Sequence, residues 1–287
     1  MATLKQIRGR IKAAKNIQQI TRAMKLVAAA RFKKSTDRVL EARPYADKMR
    51  SFMESLASGG DLPDHPLMAK RPVNKYCVIV IGADRGLAGS YNTALHRRTG
   101  DFLKETPGTA SLIVVGKKAQ QFFGRRGVEI LDSRLLGSAG AKLEDAVEVA
   151  RIATELFESG QVDAIYLCYS KFFSAIRQTP TVIPLLPMEP PKASDGAASE
   201  GLEFSYEPSS EVILDTLLPR YVLTLIWQAM LESSASFFGA QMTAMTSATD
   251  NAGKMINTLT IKANRERQAS ITTQILEVVG GAEALKS

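Results

Sequence analysis

The two ends of this chain are long stretches in which glycine and proline are almost absent. Residues 3–57 are interrupted only by Gly9 and Pro44, and residues 211–279 by one proline and two glycines. Apolar residues recur at steps of three and four along the first stretch, which predicts a helix with one apolar face. At ~1.5 Å per residue, such a helix is roughly 80 Å long, which is more than a compact domain needs. Pro44 predicts a kink or a break within it.

Between these ends the pattern changes to that of an α/β domain. Residues 58–74 contain five Gly or Pro residues and are predicted to form a linker. After them, short apolar runs typical of strands buried on both faces alternate with helical segments. The predicted strands are 76–81, 112–115, 128–131 and 164–169, and the predicted helices are 91–104, 117–123 and 142–159.

These patterns predict four segments and one fold class. The segments are an N-terminal coiled-coil helix (1–58), an α/β domain with a largely parallel sheet (75–187), a mobile loop (188–210) and a C-terminal coiled-coil helix (211–287). If both helices leave the domain on the same side, they form an antiparallel pair. The longer C-terminal helix should then extend beyond its partner by about 15 residues, or ~20 Å.

The C-terminal helix has an unusual run of small residues. Most side chains between 229 and 252 are Ala, Ser, Gly or Thr. Ser and Thr are only moderate helix formers, so such a helix needs packing to be stable. We therefore predict that another helix approaches closely along this run.

The positive charge of the chain is concentrated at its N-terminus. Residues 1–50 contain 14 Lys or Arg and only 3 Asp or Glu, whereas the whole chain has a net charge of +8. Such a segment attracts nucleic acid, anionic lipid or an acidic protein surface. The alternative is a solvated helix face, which is the usual place for Lys and Arg.

No feature of the sequence predicts an enzyme, a cofactor or a metal. The glycine-rich turn at 82–89 has neither the G-x-G-x-x-G spacing nor the G-K-[ST] ending of a phosphate-binding loop. His65 and His96 lack partners at metal-ligand spacing. Cys77 and Cys168 lie in strand-like runs and are predicted to be buried and reduced. No apolar run is long enough for a transmembrane helix, and no signal peptide is expected.

Three blocks of residues carry a resemblance to a known family. They are IQQITRAMKLVAAARFKK at 17–34 followed by RPYA at 43–46, DRGLAGSYN at 84–92, and SATDNAGKMI at 247–256 followed by RQASITTQILEVVGGAEAL at 267–285. Together they resemble the gamma subunits of F-type ATP synthases, in the same order and over the whole chain.

The resemblance implies a non-catalytic rotor shaft that couples proton flow to ATP synthesis. Its implied partners are the alpha and beta subunits of the catalytic ring, the epsilon subunit and the c-ring of the membrane sector, with no nucleic acid and no membrane insertion. Its implied location is peripheral, at the cytoplasmic face of a bacterial inner membrane rather than in an organelle. Two alternatives stay open. A basic coiled-coil nucleic-acid-binding protein would explain residues 1–50 but not an apolar C-terminal end. A dinucleotide enzyme would explain the α/β domain but not the long helices.

The resemblance also implies which residues contact partners. Met24 and Lys25 match positions near the levers of the beta subunit, and Arg31, Lys33 and Lys34 complete a basic collar with Lys25. Asp84 and Arg85 match the domain turn of the family. Arg267, Gln268 and Thr272 match a C-terminal patch that hydrogen-bonds a loop of the beta subunit. Ile275 and Val279 are expected to contact a partner because they lie in the apolar part of the C-terminal helix that extends beyond its neighbour. Gln241 is a further expected contact at a position that departs from the family pattern.

Four positions depart from the family pattern. Ala88 stands where members often have Cys, so no thiol is available there. Gln241 stands where many members have Arg, which puts an ionic contact with the beta subunit in doubt. Phe237 and Thr246 replace charges that are common nearby. The loop at 188–210 has no Cys, so the thiol switch of chloroplast members is absent.

Overall fold

A computed structural model describes residues 3–58, 65–137, 140–189 and 210–284, with side chains described up to 55 and 282 at the helix ends and from 213. The helices are α1 (Leu4–Ser58), α2 (Tyr91–Glu105), α3 (Lys117–Gly124), α4 (Leu143–Glu158) and α5 (Ser210–Ala284), and a 3-10 turn spans Pro66–Met68. The strands are β1 (Lys75–Ile81), β2 (Thr109–Val115), β3 (Glu129–Arg134), β4 (Ala164–Phe172) and β5 (Gln178–Leu186). The chain divides into two compact units: unit 1 is Met1–Ala28 with Met242–Ser287, and unit 2 is Ala29–Gln241. Most of the predicted loop 188–210 lies outside the described residues.

Unit 1 is an antiparallel pair of helices. The Thr249 hydroxyl donates a hydrogen bond of 2.8 Å to the Thr21 hydroxyl, and Gln18 Nε2 lies 3.0 Å from where a Cβ on Gly253 would be. The two helices are therefore antiparallel, because a lower residue number in α1 pairs with a higher one in α5. Extending this register to Leu4 places the start of α1 beside roughly residue 267 of α5. The N- and C-terminal helices are packed together as predicted.

Helix α1 continues through Pro44, so of the predicted kink or break, the break is wrong. Pro44 removes one backbone hydrogen bond and crowds the preceding turn, which is a local cost. The flanking residues Val39, Ala46 and Met53 are all buried in unit 2. Their packing holds the helix together on both sides of the proline.

Unit 2 contains a five-stranded sheet in the order β3-β2-β1-β4-β5. The first four strands are parallel, and β5 runs antiparallel to β4, so the sheet is largely parallel as predicted. Strand β5 was not predicted. It contains Pro180 and Pro184, which are tolerated because β5 is an edge strand.

Both faces of the sheet are covered. One face packs against α4 and the unit 2 parts of α1 and α5, and the other packs against α2 and α3. Cys77 and Cys168 are fully buried, one in each layer. Burial raises the pKa of Cys77 to about 12 and that of Cys168 to about 11, as expected of the reduced, inert thiols that the sequence predicts.

Within the described ranges, no helix has the combination of length and apolar character that crossing a membrane requires.

Candidate partner-binding surfaces

Serines of α5 are hydrogen-bonded to the end of the sheet in unit 2. The Ser233 hydroxyl donates to the Ile81 carbonyl (3.3 Å) and accepts from the Ser170 amide (3.4 Å), while Ser236 donates to the Ser170 carbonyl (3.0 Å). In this part of the small-residue run, small side chains let the helix approach the strand ends. The predicted close approach of a second helix is seen at Gly239, whose Cβ position lies 3.1 Å from the Phe32 ring of α1.

The glycine-rich turn at 82–89 packs against α5 and does not border an open ligand site. Phe237 and Phe238 pack with Ala83, Ala88 and Tyr91 in one small cluster. The cavity beside the turn has a volume of about 30 Å³, and Arg31, Asp84 and Phe238 are among its lining residues. That volume is about the space of one water molecule. A nucleotide does not fit at this position.

Asp84 and Arg85 have different surroundings in the turn. The two carboxylate oxygens of Asp84 accept hydrogen bonds from the Lys117 amide (2.9 Å) and the Gly137 amide (2.7 Å). Asp84 therefore ties the turn to the start of α3 and to the loop after β3. Arg85 is exposed, and its carbonyl accepts a hydrogen bond from the Asn92 side chain (3.2 Å). Of the two, Arg85 has the side chain that a partner can reach.

The basic residues of the collar differ in exposure. In unit 1, Met24 and Lys25 are half-buried. In unit 2, Lys33 and Lys34 are exposed, whereas Arg31 is half-buried with its guanidinium carbon 5.7 Å from the centre of the Phe238 ring. Successive residues of a helix are rotated by about 100°, so Arg31, Lys33 and Lys34 of unit 2 point in different directions around α1.

The end of α5 in unit 1 contacts no other described part of the chain extensively. Ala263 is buried, but every residue from 267 to 282, which we call the tip, is exposed. The tip carries four of the predicted contact residues from Arg267 to Ile275, and Val279 as a fifth. The Thr272 hydroxyl donates to the Gln268 carbonyl (3.0 Å), which is an internal helix bond. The large apolar residues of the tip are between 47% and 71% exposed: Ile271, Ile275, Leu276, Val278 and Val279.

Among the departures from the family pattern, the structure explains Phe237. Phe237 is buried, and its ring lies edge-on to that of Tyr91 at 5.6 Å, so a charge at this position would be poorly accommodated. Thr246 donates to the Met242 carbonyl within the helix. Gln241, at the end of unit 2, is half-buried.

One exposed surface was missed by the sequence analysis. The loop between β4 and β5, residues 173–177, exposes Phe173 and Ile176. The available signal was the local sequence KFFSAIR, in which apolar residues stand beside cations at the end of a strand.

Comparisons with known proteins agree over the whole chain. The family described as ATP synthase matches residues 3–285. The ATP synthase gamma chain of Brevibacillus brevis is 44% identical over 284 residues, covering 98% of both chains. The gamma chain of Desulfitobacterium hafniense is 44% identical over 286 residues, covering 100% of both.

Solved structures show the same fold at lower identity. A chain of the Euglena gracilis mitochondrial ATP synthase, from a structure of OSCP, F1 and c-ring, aligns with a TM-score of 0.66 and 18% identity, covering 98% of this chain and 94% of that one. A chain from the central stalk and c-ring of the Tetrahymena thermophila enzyme aligns with a TM-score of 0.59 and 23% identity, covering 80% and 99%.

The two units, an antiparallel helix pair with an exposed end and an α/β domain, have the fold of a chain in an ATP synthase central-stalk structure. The full-length identity to the curated relatives then makes the assignment specific. The chain belongs to the ATP synthase gamma chain family. Its function is that of the central rotor shaft in ATP synthesis, and the comparisons give no support to the nucleic-acid alternative.

Proposed function

We propose that this chain is the non-catalytic shaft of the complex and that its helix pair and its α/β domain contact different partners. The collar faces acidic loops of the beta subunits, and the tip turns within an apolar sleeve formed by the alpha and beta subunits. The α/β domain faces the epsilon subunit and the c-ring. This chain is peripheral to a bacterial inner membrane, on its cytoplasmic side.

The observation that carries this proposal is the exposed apolar tip. Fully burying one large aliphatic side chain is worth roughly 1.5–3 kcal/mol, and the tip exposes five of them on an isolated helix. A partner that covers the tip therefore contributes substantially to assembly. Apolar contacts are non-directional, so they resist rotation less than ion pairs with fixed geometry would.

The collar supports the proposal through charge. Its cations surround α1 instead of forming one patch, so they can meet acidic loops of a ring in several rotational positions. A single exposed ion pair is worth ~0–1 kcal/mol, so the collar should act collectively.

Co-assembly followed by charge reversal tests the proposal. The chain should be recovered with alpha and beta subunits at one copy per three pairs. Replacing Lys25, Arg31, Lys33 and Lys34 together by Glu should impair the coupling between ATP hydrolysis and proton pumping in vesicles.

The matched control reverses four basic residues that are not in the collar: Arg97, Lys104, Lys117 and Arg125. These residues have exposed side chains on α2 and at the two ends of α3. Their reversal should leave recovery with the alpha and beta subunits unchanged, whereas reversal of the collar should lower it. Normal pumping by the collar variant, or equal loss in both variants, would show that the collar has no specific role. ATP binding to the purified chain at micromolar concentration would contradict the non-catalytic assignment.

A further inference from the structure

The loop that joins β4 to β5, residues 173–177, presents apolar side chains to solvent. Ile176 is 85% exposed, the highest value among the large apolar residues that the structure describes, and Phe173 is 50% exposed. We call this loop the hairpin tip. Isolated exposed apolar residues are common on protein surfaces, so exposure alone does not define a site.

The hairpin tip is held in one conformation by its own side chains. The Ser174 hydroxyl accepts hydrogen bonds from the amides of Ile176 (3.3 Å) and Arg177 (3.1 Å). Gln178 Nε2 donates to the carbonyls of Ser174 (3.2 Å) and Ala175 (2.6 Å). The apolar side chains are therefore exposed by an ordered loop, and a partner that binds them need not order the loop first.

Two cations flank the exposed ring. The Arg177 guanidinium carbon lies 4.8 Å from the centre of the Phe173 ring, and Lys171 Nζ lies 5.7 Å from it. An aromatic ring with an adjacent Arg is typical of the few residues that dominate the binding energy of protein interfaces. A ring flanked by cations also attracts carboxylates, because both cations are exposed.

The hairpin tip is joined to the collar part of α1 in unit 2. The Cα of Ala175 lies 3.2 Å from the Cβ position of Gly239, which also meets the Phe32 ring. The rings of Phe32 and Phe172 lie edge to face at 5.8 Å. Exposed Lys33 and Lys34 follow Phe32 directly in the chain.

Negative charge near this surface is small. Glu232 is 5% exposed, and its carboxylate accepts from the Phe172 amide (3.1 Å) and from Gln228 Nε2 (3.1 Å). Asp37 is exposed one turn further along α1. The exposed charges of the surface are therefore mainly positive.

We propose that the hairpin tip, together with Lys33 and Lys34, is a docking surface for an acidic protein segment that also carries an apolar side chain. The proposal rests on the proposed function, because that segment would belong to the ring that surrounds the shaft. Its acidic groups would meet Lys171, Arg177 and Lys33, and its apolar group would cover Ile176. An anionic lipid surface fits less well, because the Phe173 ring lies against Arg177 and is not free to insert.

Photo-crosslinking in the assembled complex identifies what covers the surface. A benzophenone side chain placed at position 176 should crosslink to a segment of an alpha or beta subunit that contains acidic residues. The same group at position 131, where Leu131 is 41% exposed on edge strand β3, should not label that segment.

Other labelling results would contradict the docking surface in distinct ways. Crosslinking only to lipid, or to a segment without acidic residues, would overturn it. A crosslink from position 33 to the ring with none from position 176 would overturn it while the proposed function stands. Failure of the unmodified chain to assemble with the ring would overturn both.

Affinity measurements give a second test. Replacing Phe173 and Ile176 together by Ser should weaken binding of the chain to the alpha–beta ring about 10-fold. Replacing Lys171 and Arg177 together by Glu should weaken it at least as much and make the binding less dependent on salt. Leu131→Ser with Leu135→Ser is the apolar control, and its affinity should stay within about 2-fold of the original.

The comparison of affinities requires that all these variants have the same thermal unfolding midpoint. We expect this because the substituted side chains are exposed. Equal affinities for the original chain and both hairpin-tip variants would overturn the docking surface.

Discussion

Two regions of α5 differ in burial in the opposite sense from what their side chains would suggest. Residues 231–239 in unit 2 are all buried although several are Ser, whereas the tip in unit 1 is exposed although it carries five large aliphatic residues. The serines can be buried because backbone groups satisfy their hydroxyls: those of β1 and β4 bond to Ser233 and Ser236, and the Ala141 amide donates to Ser234. The tip is exposed because the first residue of α1 lies beside roughly residue 267 of α5, so α1 does not extend along the tip. Hydrophobicity therefore does not decide burial along this helix, whereas the availability of a partner does.

Removing the hydrogen bonds of the buried region should cause the largest loss in the free energy of unfolding. Ser233→Val deletes the bonds to the Ile81 carbonyl and the Ser170 amide and adds volume in a closely packed place. We expect a loss of about 4 kcal/mol in the free energy of unfolding. Thr273→Val at the exposed tip, where the hydroxyl bonds only to the Ala269 carbonyl of its own helix, should change it by less than about 0.5 kcal/mol. Urea unfolding of both variants measures the difference, and similar losses would remove the contrast.

A buried polar group without a partner sharpens the contrast with Ser233. His96 is 6% exposed, and its Nε2 has no hydrogen-bond partner among the described residues. Burial, and secondarily the charge of Arg126, lower the pKa of His96 to about 4. The folded state therefore takes up its proton at lower pH than the unfolded state, whose His has a pKa of about 6.5.

This difference predicts a loss of stability in acid. Above pH 6.5 His96 is neutral in both the folded and the unfolded state, so its titration does not reduce the free energy of unfolding. Between pH 6.5 and 4 the unfolded state binds a proton that the folded state does not, so the free energy of unfolding falls as the pH falls. We expect His96→Phe to remove about 3 kcal/mol of the loss in unfolding free energy between pH 7 and pH 4. Urea unfolding at several pH values checks it. Parallel pH profiles for the original chain and the variant would contradict the assignment.

The tip should respond in the opposite way from Ser233. Ile275→Ser with Val279→Ser should leave unfolding of the isolated chain unchanged but weaken assembly about 10-fold. Deleting residues 276–287 should weaken assembly and lower torque without abolishing rotation. Hydrogen exchange adds a direct readout, because helices without tertiary contacts are marginal. Amides 271–282 should exchange faster in the isolated chain than in the complex, and equal protection would mean that the tip is stable without a partner.

The smallest effect is expected for a single cation of the collar. Lys25→Gln should change the rate of ATP turnover by less than about 5-fold, because one exposed pair contributes ~0–1 kcal/mol. Turnover and pumping of the assembled complex measure it. A large loss from this one change would mean that Lys25 acts alone and that the collective interpretation is wrong.

Much of the fold could be predicted because its elements have strong periodic patterns. The uninterrupted apolar runs of β1 and β2 correspond to strands buried on both faces. Strand β5 was missed because its prolines oppose strand assignment, and only its position at the sheet edge makes them acceptable. The break at Pro44 was wrongly predicted because local sequence does not include the packing of Val39 and Met53.

The contact surfaces could be predicted only in part. The tip followed from helix lengths, which are a property of the sequence. The role of Asp84 did not, because its acceptors meet amides of Lys117 and Gly137 that are distant in the chain. The hairpin tip was missed because neither the length nor the order of its loop can be read from five residues.

The serine contacts at the sheet end have a mechanical consequence. Hydrogen bonds have a preferred direction, so sliding this part of α5 along its axis would stretch the bonds of Ser233 and Ser236 at once. A purely apolar interface would resist such sliding less, since its energy depends little on orientation. Force applied along this segment would therefore reach the main chain of β1 and β4, which are interior strands of the sheet. The carboxyl ends of parallel strands, where open α/β sheets bind ligands, would here act as a mechanical anchor for α5.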